Sequence, residues 1–242
     1  MKRILMILTL SAGCLSPAEA AIYSTNWSSG FTAGGVIPSD GNGWWDTQPI
    51  AGLSGTLVSV AVRLHLVEAL PEGNNSDLFA YLSHGGQTVI LLNRVGRTAA
   101  NPGGYLDPGM DITLSDTDPA ATDVHLSGGT GFTVLTGTWQ PDGRDIDPTS
   151  TGAEFDAATR QNSGAPLGLM NGLDPNGDWT IYFSDQGAAG QSTVASWGLD
   201  IEAVPEPVSV ALGVFAGAAL LVGGGRVWQR RRIPTKTDLP VG

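Results

Sequence analysis

The stretch from Val58 to Leu66 constrains the fold more than any other part of this chain. Val58, Val60, Val62, Leu64 and Leu66 alternate with Ser59, Ala61, Arg63 and His65, a period of two over nine residues. Successive side chains of a strand point to opposite faces, so such a run buries one face and wets the other. Further strand-like runs occur at Leu78–Leu82, Thr88–Leu92, Asp111–Leu114, Phe132–Leu135, Trp179–Phe183 and Val194–Ile201. Glycine, proline, asparagine and aspartate punctuate them, and helical periodicity is nearly absent. Short strands between such turns predict an all-β domain, an antiparallel sandwich of jelly-roll type. No internal repeat stands out, although Asp-rich turns recur around Asp142 and Asp174.

The two ends read differently. Residues 1–20 have the three parts of a secretory signal: Lys2 and Arg3, an apolar run from Ile4 to Leu10, and Ala18 and Ala20 at −3 and −1 of a cleavage point before Ala21. The alternative, an N-terminal core helix, is disfavoured because the run lacks a cap and amphipathic spacing, and it is too short to span a bilayer. Cys14 is the only cysteine. Ser11-Ala12-Gly13-Cys14 has some likeness to a lipoprotein cleavage box, but a serine stands where an aliphatic residue is wanted. Cleavage after Ala20 would leave a mature chain with no thiol and no disulfide, stabilised by packing and by any bound metal.

At the other end, Val204-Pro205-Glu206-Pro207 precedes an apolar stretch, Val208–Val222, then three glycines and the basic group Arg226, Arg230, Arg231 and Arg232. Residues 208–225, about 18 in all, are near the lower bound for a membrane helix. The arginines would stay on the cytoplasmic side of the inner membrane, with Trp228 at the interface. Pro205 and Pro207 keep the peptide before the helix extended and accessible. An ordinary single-pass anchor is the alternative. Residues 233–242 form a short tail beyond it.

Between the ends, residues 21–203 are long enough for one domain with a substantial core. Five arginines, no lysine and twenty acidic residues give that segment a formal charge of −15. Such a surface repels nucleic acid and anionic lipid headgroups, which excludes nucleic acid as a partner.

The tail over 204–232, with its Pro-Glu-Pro motif, apolar helix and basic cluster, resembles the PEP-CTERM sorting signal. That resemblance implies recognition and cleavage by an exosortase-type processing enzyme, and export to the surface or extracellular matrix of Gram-negative bacteria. The middle resembles the P domain (P/Homo B) of subtilisin-like proprotein convertases, patchily over residues 35 to 203. Asp77-Leu78 opens one matching strand. Leu82-Ser83-His84-Gly85-Gly86 stands where the family usually has Ser-Pro-x-Gly, so His84 and Gly85 depart from the pattern. The closest stretch is Asn176-Gly177-Asp178-Trp179, the strand to Asp185, and Ser196-Trp197-Gly198-Leu199-Asp200. The resemblance implies an eight-stranded jelly roll, here without the protease domain that it accompanies in the family.

The histidines are His65, His84 and His125. His65 reads as a structural hydrogen-bonding residue, His84 as an exposed turn residue, and His125 as a strand residue after Asp123; a zinc pair of His84 with His125 has no motif behind it. No Gly-x-Ser-x-Gly elbow, His-Glu-x-x-His helix, phosphate loop or dinucleotide fingerprint occurs. Calcium is the one cofactor with a candidate site: Asp142, Asp145 and Asp147 cluster in sequence, and Asp174 with Asp178 brackets a turn. Turn chemistry explains the same aspartates. Trp44 and Trp45 are candidate sugar-stacking platforms with Trp139 beside them, against a core or corner role; Trp179 and Trp197 read as core. The expectation is a non-catalytic exported surface or matrix protein, its partner an exopolysaccharide or a secreted protein. The alternatives are an accessory domain stabilising a secreted protease in trans and a carbohydrate-binding module.

Overall fold

The computed structural model describes residues 20–68, 74–187 and 190–205. The expected signal segment with Ala18 and Cys14, the stretch 208–225 expected to cross a membrane, Glu206, Pro207, Arg230, Arg231, Arg232 and the tail 233–242 lie outside the described residues. Among those described, no helix is long and apolar enough to cross a membrane.

The described residues are all-β, and two sheets share one core. The first has five strands: β1 (Ala21–Trp27), β9 (Ser192–Val204), β3 (Thr56–Glu68), β6 (Met110–Ser115) and β7 (Leu135–Trp139), in that spatial order. The second has four: β2 (Gly43–Ile50), β8 (Gly177–Asp185), β4 (Leu78–His84) and β5 (Gln87–Asn93). Every pair is antiparallel except β6 with β7. Val62, Leu64, Leu199 and Ile201 of the first sheet meet Leu82, Trp179, Ile181 and Phe183 of the second, and all are essentially buried. Trp197 is fully buried too.

The alternation that defines β3 holds from Val60 to Leu66, whose even positions are buried. It fails at Val58, which is 41% exposed while Leu57 is 2% exposed. The register against β9 slips between Leu57 and Ser59, so Val58 is the extra residue of a β-bulge and its side chain turns to solvent. Between β4 and β5, Gly85 and Gly86 both have positive φ, 57° and 82°, the requirement of the two-residue turn that matches strand twist.

Two local expectations are corrected. Phe132–Leu135 is not a strand: only Leu135 belongs to β7, and Phe132 sits at φ 70° with 72% exposure. The carboxylate of Asp107 accepts from the Thr130 and Phe132 N–H groups and shapes a loop there. A short helix, α1 (Gly152–Ala157), interrupts the β pattern. Thr151 and Glu154 form a capping box at its start, and burying Phe155 gives it a core contact.

Candidate functional site

The histidines are the residues on which general-base chemistry would turn, and the fold commits two of them. His125 lies on a single turn, Val124–Leu126, rather than on a strand, with Asp123 Oδ1 accepting from its N–H at 2.9 Å. Its Nδ1 donates to Asp142 Oδ2 at 2.6 Å and its Nε2 to the Arg97 carbonyl at 3.0 Å. Burial draws its pKa down, but the hydrogen bond and charge of Asp142 outweigh that and hold it above the ordinary histidine value. Arg144 Nη1 donates to Asp123 Oδ2 at 2.7 Å and to Asp142 Oδ1 at 3.1 Å. Burial, then the like charge of Asp142, pushes the Asp123 carboxyl up against the pull of Arg144.

This cluster is a clamp. Asp142 and Gly143 donate their N–H groups to Leu91 and Ile90 of β5, and Arg160 donates to the carbonyls of Asp142 and Pro141. A ring whose Nε2 is already bonded to a backbone carbonyl, and which is 1% exposed, has no face left for a nucleophile.

The expected cation turns do not assemble. Asp142 is fully buried and engaged by His125 and Arg144, while Asp145 and Asp147 are exposed and Asp147 accepts from Thr149 N at 2.8 Å. Asp174 accepts from Asn176 N at 2.9 Å, and Asp178 is exposed. Among the described residues, no three His, Cys, Asp or Glu side chains are placed to hold a metal ion. Asp142 has both carboxylate oxygens taken by His125 and Arg144, and Asp147 and Asp174 each commit Oδ1 to a residue two positions on in the same turn.

His84 is corrected from an exposed turn residue to a buried one, 4% exposed and stacked on Trp179 with ring centroids 3.8 Å apart. Its Nδ1 faces the Asp178 carbonyl at 3.0 Å and its Nε2 the Asp174 carbonyl at 2.7 Å. A carbonyl only accepts, so a neutral ring satisfies one and a protonated ring both. His84 therefore pins the 174–178 turn that opens β8. His65 alone is exposed, on the outer face of β3.

Trp44 is also corrected. At 3% exposure, with Nε1 donating to the Thr32 carbonyl at 3.0 Å, it is a core residue and offers no stacking face. Trp45, its neighbour on β2, points outward at 61% exposure. Trp139 folds back along β7, donating to the Thr136 carbonyl.

A cleft of about 400 Å³ opens at the far end of β3, lined by Leu66, Val67, Glu68, Pro108, Phe132 and Val134 among others. Its walls are mostly apolar, with His65 and Thr133 also lining it, and its one acid, Glu68, is pushed up to about 7, mainly by burial, with Asp185 and Asp77 adding repulsion against the Ser192 hydroxyl bonded at 3.0 Å. Asp185 rises to about 6, again first by burial, with Asp77 repelling and Gly187 and Arg94 opposing. Arg94 sits in left-handed backbone, φ 52°, held by Asp77 at 3.2 Å and by the Ser76 carbonyl. A half-protonated carboxyl in apolar walls can donate and accept hydrogen bonds near neutral pH. The signal was present in the sequence: Glu68 continues the inward phase of the β3 alternation by one step.

No family model matches this chain, and no curated protein matches it. Two solved structures are similar to it: the serine protease of Aeromonas sobria, and that protease in complex with a chaperone. Identity is 15% and the TM-score 0.41 in both. The matches cover 76% and 78% of this chain but only 27% and 28% of the chains matched. This chain therefore spans little more than a quarter of the length of those it resembles.

Proposed function

We propose that the chain is a non-catalytic, exported surface or extracellular-matrix protein, a jelly-roll module of P-domain type carried on a PEP-CTERM tail that an exosortase processes. The observation that carries the reading is where the domain starts and stops. β1 opens at Ala21, the residue after the expected signal cleavage, and β9 closes at Val204, directly before Pro205. The segments assigned to export and sorting thus flank the strands without cutting into them. Setting β7 aside, the sheets run β1-β9-β3-β6 and β2-β8-β4-β5, successive strands mostly changing sheet, which is the pattern that supports a jelly roll. The commitment of His84 and His125 to structural bonds supports a non-catalytic role, with exopolysaccharide or a secreted protein as the partner class.

The test is the intact mass of the protein recovered from the cell surface or medium. Processing predicts a chain from Ala21 to near Pro205. A mass that retains residues 208–242 would make the tail a permanent anchor and remove the exosortase from the reading.

A further inference from the structure

Among the described residues, four strands border the two sheets, and three of their outer edges are obstructed. The edge of β5 is covered by Asp142 and Gly143, which donate to its carbonyls, and by Gln161, which bonds Ile90 N and the Thr88 carbonyl. β2 carries Asp46 and Pro49, the latter without an N–H to give. β7 is five residues long, with Gly137 at φ 101° and Trp139 folded back along it.

β1 is different. Its sequence, Ala-Ile-Tyr-Ser-Thr-Asn-Trp, has no charge, proline or glycine in a domain of formal charge −15. Ile22 is 74% exposed and Tyr23 38%. Among the described residues, β9 is the one strand bonded to it, and the Arg63 guanidinium reaches the Thr25 carbonyl beside Gly198, on the β9 side. A β-prone edge that no described residue blocks is a template for another strand.

We propose that β1 is a self-association edge, where the β1 strands of two copies pair antiparallel about Ser24 and join two five-stranded sheets into one. A second copy is the occupant because the strand is self-complementary. Pairing about its midpoint sets Ile22 opposite Asn26 and Tyr23 opposite Thr25 of the other copy, with no like charges face to face on two acidic bodies that elsewhere repel. The proposal rests on maturation before Ala21, which the intact mass of the sample reports separately.

Sedimentation velocity on the mature protein, at rising concentration and at low and high salt, tests it. The expected result is a dimer that strengthens with salt. Ile22→Lys, at an exposed site, should leave the unfolding midpoint of the dilute protein unchanged and weaken dimerisation by about tenfold. Mixing the Ile22→Lys and Asn26→Glu variants should restore it, because the ammonium introduced on one copy then faces the carboxylate introduced on the other. A monomer at every concentration in a sample that starts at Ala21, a dimer indifferent to Ile22→Lys, or a mixture that fails to recover would each overturn the proposal.

Discussion

His125 Nδ1 donates to Asp142 Oδ2 at 2.6 Å with neither side chain in contact with solvent, 1% and 0% exposed. An ion pair so placed is costly to break from one side. The surviving charge stays buried, so Asp142→Asn should destabilise the domain by about 3–5 kcal/mol. The strand pairing of β4 with β8 should survive, because the clamp fastens the outer side of β5. Urea unfolding curves measure the first effect and hydrogen exchange resolved by strand the second.

The same pair sets a pH dependence. The pKa of His125 in the folded chain lies above its unfolded value, so the folded state binds the proton more tightly. The stabilisation is full below the unfolded pKa of about 6.5 and is lost as pH rises through the folded value. His125→Asn should flatten that part of the stability profile and lower stability most on the acid side. A profile of equal slope in both proteins would show that the titration belongs elsewhere.

β1 depends on a glycine. A Cβ at Gly198 would fall 2.3 Å from the Thr25 carbonyl oxygen, and backbone cannot move away as a flexible side chain would. Gly198→Ala should therefore push β1 off β9, raise amide exchange across Ala21–Trp27, and cost about 1–3 kcal/mol. Protection in β4 and β5 should be unaffected.

The legible parts of the fold were those in which one rule acted alone. The β3 alternation, the β4–β5 turn and the two buried tryptophans of β8 and β9 follow from side-chain period and turn chemistry. Val58 did not, because a bulge exchanges faces without changing composition. Phe132 did not, because apolar content imitates a strand while Asp107, far off in sequence, bonds the backbone into a loop. The histidines misled for a related reason. His84 stands in a turn by sequence, but Trp179 and two carbonyls come from residues about ninety positions away. The aspartates around Asp142 resemble a cation loop until Arg144 and His125 are brought beside them. Long-range polar pairing leaves no local signature, whereas the Thr151–Glu154 capping box did and was available to be read.

Trp44 and Trp45 are adjacent and should respond oppositely to truncation. Trp44→Ala removes a core ring packed between Phe31 and Phe183 and should cost about 3–5 kcal/mol. Trp45→Ala removes an outward ring and should change stability by no more than about 0.5 kcal/mol. Any sugar-stacking by this pair must then reside in Trp45 alone, and fluorescence titration with exopolysaccharide should lose its response in the Trp45→Ala protein.

Glu68 gives the sharpest reading of the cleft. Its folded pKa of about 7 lies above the ordinary 4.5, so the folded state holds the proton where the unfolded chain has released it. The sign follows directly: the protonated form carries no penalty below pH 4.5, and the cost of the buried charge grows from there and is complete above pH 7. Glu68→Gln keeps the hydrogen-bonding shape without the charge. It should be neutral at pH 4 and stabilising at pH 8 by about 1–2 kcal/mol, reduced from the full shift because the side chain is partly exposed. Chemical denaturation at the two pH values separates the cases. If the substitution is equally neutral at both, Glu68 is solvated in solution and the cleft is wider than its walls suggest. If it stabilises only at pH 8, the carboxyl is as buried as the strand phase of β3 requires.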